Sequence, residues 1–134
     1  DYMCLDGTIP VSQLPYVLRR IGEMSAQFGL DVANVFHAGD GNMHPLILFD
    51  ANKPGDLELC EEFGAEILKL CVEVGGCLTG EHGVGIEKRD LMAHQYAPDD
   101  LAAQMDIKDV FDPKWLLNPA KVFPLDASDP RRAA

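Results

Sequence analysis

The stretch 36-FHAGDGNMH-44 sets Asp-Gly between two apolar runs, Val32, Val35 and Phe36 before it and Leu46, Ile47, Leu48 and Phe49 after it. An Asp-Gly pair so flanked is a strong hairpin signal, because a type I′ turn needs positive φ at both central residues. Two antiparallel strands are expected here. Partners in such a ladder sum to a constant, so a turn centred on Asp40-Gly41 pairs Gly39 with Asn42, Ala38 with Met43 and His37 with His44. The two imidazoles then stand opposite on one face with Cβ atoms about 5 Å apart, and both can reach one metal ion. A turn centred on Gly41-Asn42 opposes His37 to Leu46 instead.

The flanking pattern builds a fold around that hairpin. Residues 2–9 read as a strand stopped by Pro10, with Ser12 as a helix N-cap. Leu14, Val17, Leu18, Ile21, Met24 and Phe28 then recur at helical spacing up to Gly29. After the hairpin, Lys53-Pro54-Gly55-Asp56 breaks the chain, and Leu57, Cys60, Phe63, Ile67, Leu70, Cys71 and Val74 form a second stripe ending at Gly75-Gly76. Glu61, Glu62, Glu66, Lys69 and Glu73 are its wet face. Cys77-Leu78-Thr79 reads as a fourth strand, followed by a glycine loop and helical segments around 87–95 and 98–110. The order β-α-β-β-α-β is the split βαβ or ferredoxin-like arrangement. We therefore expect an α+β fold with an antiparallel sheet, helices on one face and a helical C-terminal extension.

At 134 residues, one domain is the default. No apolar run approaches the roughly 20 residues that span a bilayer. A net charge of -11 argues against nucleic acid or an anionic membrane surface as partner, since both need concentrated Lys and Arg. Cys4, Cys60, Cys71 and Cys77 lack C-x-x-C spacing, and nothing at the start resembles a signal peptide, so we expect reduced thiols and a cytoplasmic location. The start within a strand, without Met, reads as a fragment. Residues 126–134 read as a tail.

A second cluster, 79-TGEHGVGIEK-88, puts Glu81 beside His82 in a glycine-rich loop. Glu81 is suited to complete a His₂Glu metal set with His37 and His44, leaving an open coordination position. His82 is then placed to act as a general base. The competing reading is a phosphate-binding glycine loop or a plain turn, although no Walker or G-x-G-x-x-G pattern is present. His94, in a helical stretch, reads as a surface residue.

HAGDGNMH, GEHGVG and 118-NPAKVF-123, with DGTIP near the start, resemble the C-terminal domain of the FAD-linked oxidases, the group of glycolate oxidase, D-lactate dehydrogenase and D-2-hydroxyglutarate dehydrogenase. The resemblance runs over residues 1–124, with a flexible tail beyond at 125–134. It implies that His37, His44 and Glu81 hold a divalent ion (Zn, Mn or Fe). It also implies that His82 takes the hydroxyl proton of a 2-hydroxy acid while hydride passes to flavin, and that Asn118 lies near the flavin. Val11 stands where relatives often carry Arg, and no Lys lies near Cys4 as in those specific for 2-hydroxyglutarate, so the resemblance does not fix the substrate.

The family's FAD sits in a larger N-terminal domain, which this chain is too short to contain. The isolated chain is therefore expected to hold metal without binding FAD tightly, and to be inactive alone. The implied partners are the substrate, the FAD domain and further oxidase subunits. Two other functions use the same residues. One is a ferredoxin-like regulatory module with a purely structural or sensing metal, and the other a free-standing metal-dependent hydrolase.

Overall fold

The computed structural model describes residues 1–126, 128, 129 and 131, so the expected tail lies partly outside the described residues. The chain forms two compact units, Asp1–Gly83 and Val84–Ala134.

The first unit is α+β with an antiparallel four-stranded sheet, as the sequence pattern implies. Its strands are β1 (Tyr2–Cys4), β2 (Gly7–Thr8), β3 (Val32–His37) and β4 (Asn42–Leu48), and its helices are α1 (Leu14–Phe28) and α2 (Asp56–Glu73). β4 is central, with β3 on one side and β1 and β2 on the other. The expected first strand is thus two short ones, although both keep a single register against β4 (Cys4 opposite Leu46, Gly7 opposite Met43).

Pro45 accounts for the break. The Leu5 N–H donates to the Pro45 carbonyl at 3.0 Å, but proline has no N–H to return the bond. The ladder stops there and the Leu5 carbonyl needs another donor.

Three boundaries differ from the sequence reading. Helix α1 is preceded by a 3-10 turn at Val11–Gln13 that takes in Ser12, and its N-cap position falls on Gln13. Pro15 at the start of the helix needs no N–H partner there, which favours entry at that point. The fourth strand shrinks to one bridge between Thr8 and Cys77, their backbones exchanging two 3.0 Å hydrogen bonds. The residues after it are drawn into the loop described below.

The third difference is the hairpin register. The structure pairs His37 with Asn42, Phe36 with Met43 and Val35 with His44, around a four-residue loop at 38–41. The expected pairing of His37 with His44 is therefore off by two. Asp40 does not take the positive φ that a type I′ turn demands. Instead, the Asp40 and Gly41 amides both donate to the His37 carbonyl, and Asp40 Oδ1 accepts from the Asn42 amide. Gly41 carries the positive φ (78°) that closes the loop, and its carbonyl accepts from Ile9. A side chain at that position would run into the Ile9 carbonyl oxygen.

Helices α1 and α2 cover one face of the sheet. Val17, Ile21 and Met24 from α1 and Cys60, Phe63, Ile67, Leu70 and Cys71 from α2 pack with Met43 and Ile47 of β4. Phe28 stacks on Phe63 with ring centroids 5.0 Å apart. Because side chains alternate along a strand, His44 and Asn42 project to the other face.

The second unit contains a 3-10 turn at Arg89–Leu91, then α3 (Met92–Gln95) and α4 (Pro98–Phe111). Beyond α4, Asp112 gathers the chain. Its carboxylate accepts from Lys108 Nζ at 2.6 Å and from the Leu116 and Leu117 amides at 3.0 and 2.9 Å. Trp115 is buried and donates through Nε1 to Asp109. No helix among the described residues is long and apolar enough to cross a membrane. All four cysteines stand as thiols.

A histidine–glutamate centre on the open face of the sheet

Moving a strand pairing by two residues leaves every side chain on its original face. His37 and His44 therefore remain neighbours although they are diagonal rather than opposite. Their rings meet edge to face with centroids 5.3 Å apart. Glu81 and His82 arrive from the loop after Cys77, and His82 stacks on His44 at 5.1 Å. One oxygen, Glu81 Oε1, lies 3.1 Å from His44 Nε2, 3.8 Å from His37 Nε2 and 4.0 Å from His82 Nε2. All four residues singled out around this site are thus brought together, three imidazoles around one carboxylate oxygen.

His44 is the buried member, while His37, Glu81 and His82 form an exposed rim. Its tautomer follows from the strand break. Nδ1 lies 3.1 Å from the Leu5 carbonyl oxygen, which only accepts, so Nδ1 carries the proton and donates. Nε2 then presents a lone pair toward Glu81 Oε1. Two lone-pair atoms at 3.1 Å repel unless a proton or a cation lies between them. A backbone carbonyl that orients a ligand histidine in this way is the usual outer support of a metal site. The donor set fits a divalent cation.

Asp6 belongs to the same group. One oxygen each of Asp6, Glu81 and one nitrogen each of His44 and His82 all lie within 4.8 Å of one another. Asp6 is fully buried, and its carboxylate is wrapped by the 79–83 loop. Oδ2 accepts from Thr79 Oγ1 (2.8 Å) and from the amides of Gly80 (2.8 Å), Glu81 (3.2 Å) and His82 (3.1 Å), and Oδ1 accepts from Glu81 N at 3.0 Å. Thr79 Oγ1 in turn accepts from the Gly83 amide at 3.0 Å. Three successive N–H groups form an anion nest, and here the anion is the chain's own carboxylate. The amides that a phosphate would need are taken, which removes the phosphate-loop reading. Gly80 permits the close approach, since a Cβ there would fall 2.2 Å from Asn42 Oδ1 and 2.7 Å from Asp6 Oδ1.

Sequence reasoning missed Asp6 because a lone Asp in a strand–turn context carries no spacing signal. Asn42, between the histidines, was read only for its place in the hairpin, as the partner of Gly39. It is buried, and Nδ2 lies 3.4 Å from His44 Nε2. Asn118 falls in the second unit, in the irregular segment after α4, with φ at +48°. Around it the chain is held by Arg89 donating to the Ala120 carbonyl at 2.9 Å and by the Val122 amide donating to Gly85 at 2.8 Å. His94 is exposed, as expected.

Comparison with known proteins agrees with the family resemblance. The family model for FAD linked oxidases, C-terminal domain, matches residues 1–122. The glycolate oxidase subunit GlcD of Escherichia coli K12 is 57% identical over 124 residues, covering 92% of this chain and 25% of that protein. The GlcD of Bacillus subtilis is 35% identical over 122 residues, 91% of this chain and 26% of that protein. The mitochondrial D-lactate dehydrogenase (cytochrome) of Kluyveromyces lactis is 36% identical over 124 residues, 92% of this chain and 21% of that protein. The chain therefore spans about a quarter of the length of these relatives, and it belongs to the family of FAD linked oxidases, C-terminal domain.

Proposed function

We propose that this chain is the substrate- and metal-holding part of an FAD-dependent 2-hydroxy-acid oxidase or dehydrogenase of the glycolate or D-lactate type. The observation that carries the reading is the convergence of His37, His44 and His82 on Glu81 Oε1, in a chain whose relatives are named as a glycolate oxidase subunit and D-lactate dehydrogenases.

His37, His44 and Glu81 are the proposed ligands. A divalent ion held there supplies a Lewis acid for the carboxylate and hydroxyl of the substrate. Two imidazoles and a carboxylate accept Zn, Mn or Fe. His82, half exposed and stacked on His44, takes the hydroxyl proton at Nε2. Its placement beside Glu81 lets one loop present a ligand and a base to the same small molecule. Loss of that proton and of a hydride from C2 gives the 2-oxo acid. FAD is the hydride acceptor of this chemistry. The chain offers no dinucleotide loop to hold it, so FAD is bound by an N-terminal domain outside these residues, with Asn118 near it. The other oxidase subunits are partners of that whole protein, for which we propose a cytoplasmic location.

Elemental analysis of the purified chain tests the reading. About one equivalent of transition metal, lost on His44→Ala substitution, is expected. A folded chain without metal after supplementation would overturn the ligand set. The chain alone should not reduce a dye with glycolate or D-lactate. In the flavoprotein that contains it, His82→Ala should abolish turnover without unfolding.

A further inference from the structure

We propose that Asp6 is the positioning residue of this centre, holding the loop that carries Glu81 and His82 against the strand that carries His44. The inference rests on the metal reading above and extends it to a residue outside the ligand set.

The argument starts from the sheet. Pro45 ends the ladder at Leu5, and Asp6 follows on the face that carries His44. A buried carboxylate has to be compensated by donors. Asp6 finds them in Thr79 Oγ1 and in the amides of Gly80, Glu81 and His82, all within 3.2 Å. Consecutive amides held on one anion restrain the backbone from which the Glu81 and His82 side chains project. Both then start from a set backbone, on one side of His44. The adjoining Leu5 carbonyl orients His44 itself. Residues 5 and 6 thereby fix both halves of the centre, one through a carbonyl and the other through a carboxylate.

Asp6 does not act as a ligand in this arrangement. Oδ2 already accepts from Thr79 Oγ1 and three backbone amides, and Oδ1 also accepts from the Glu81 amide. The approach of Oδ1 to His44 is 4.0 Å, on the Nδ1 that donates to Leu5 rather than on the Nε2 that faces Glu81. Asp6 acts through Glu81 and His82.

The test uses the purified chain, Co(II) as probe and two readouts. One is Co(II) affinity with its visible absorption band. The other is hydrogen exchange of the Gly80, Glu81 and His82 amides without metal. Asp6→Asn replaces one acceptor oxygen with an NH₂ that faces N–H donors, so it should speed exchange at these three amides and weaken Co(II) binding by roughly 10–100-fold, the range for outer-shell changes. Thr79→Val and Thr79→Ser provide a second, milder pair in case Asp6→Asn unfolds. The Val variant should weaken binding and shift the band, whereas the Ser variant, which keeps the hydroxyl, should retain both.

Unchanged amide exchange in Asp6→Asn would overturn the proposal. So would loss of Co(II) with unchanged exchange, which would make Asp6 a direct ligand, and so would equal behaviour of the Val and Ser variants. A wild-type chain that takes up no Co(II) would sink the metal reading instead. In that case faster exchange in Asp6→Asn still supports the loop role and unchanged exchange still refutes it.

Discussion

Nε2 of His44 lies 3.1 Å from Oε1 of Glu81, while Nδ1 of the same ring is committed to the Leu5 carbonyl. The neutral imidazole can therefore offer Glu81 only a lone pair. The contact is stable with a cation or a proton between the two atoms, and of the two histidines proposed as ligands beside Glu81 only His44 is buried. The His44 side chain is 10% exposed and that of His37 59%. We expect His44→Ala to weaken metal binding by more than the roughly 10–100-fold associated with outer-shell changes, and His37→Ala to do less. Metal titration of the two variants checks the order. A larger loss in His37→Ala would contradict it.

Two glycines with opposite surroundings make a paired test of packing. Gly80→Ala forces a methyl onto Asn42 and Asp6 and should cost about 1–3 kcal/mol, the usual penalty for overfilling a packed site. Gly22 lies in the exposed middle of α1 with nothing within 4 Å of an added Cβ. Gly22→Ala should stabilise by roughly 0.5–1 kcal/mol, because alanine loses less backbone entropy in a helix. Urea denaturation of both variants measures the two signs.

Asp112 ties the second unit to acid stability. The hydrogen bond from Lys108 holds its carboxyl below the usual carboxylate value, burial opposes this, and the Leu117 and Leu116 amides reinforce it. A carboxyl depressed in the folded state stabilises fully above its unfolded pKa and loses that contribution as pH falls through the folded value. The destabilisation caused by Asp112→Asn should accordingly be present at pH 7 and shrink as pH drops below about 4. The single tryptophan, Trp115, is buried three residues away and reports the transition by fluorescence. A difference that is constant from pH 7 to pH 3 would rule this out.

Phe63 is fully buried in α2 and stacked on Phe28 of α1. Removing the ring leaves a cavity between the two helices and their sheet, and Phe63→Ala should cost about 3–5 kcal/mol. The thermal midpoint of the first unit should fall accordingly. A shift no larger than that of a surface substitution would mean that the helices do not share this core.

Much of the fold was legible because it is periodic. The stripe from Leu14 to Phe28 and that from Leu57 to Val74 repeat at the helical period, and both became helices. Their central stripe residues, Val17, Ile21 and Met24 in one and Cys60, Phe63, Ile67, Leu70 and Cys71 in the other, are buried, while Leu57 stays exposed. The hairpin was legible in place but not in register. Asp-Gly is a local signal for one turn type, whereas the loop obtained is set by the Ile9 amide on the Gly41 carbonyl, a contact more than thirty residues distant in sequence. The site survived this difference because side chains alternate with a period of two. The fourth strand was not legible, because Thr79 and the residues after it turn toward Asp6 instead of extending the sheet.

The sequence by itself determined the α+β order, the face on which both histidines stand and the grouping of Glu81 with His82. These follow from backbone periodicity and from neighbours along the chain. Only the tertiary structure decided that Glu81 reaches His44, that Leu5 sets the His44 tautomer and that Asp6 fills the loop's anion nest. Each of those depends on polar contacts between residues 37 to 76 positions apart. The donors and acceptors that compensate a buried charge need only be close in space, so no spacing in the chain announces them.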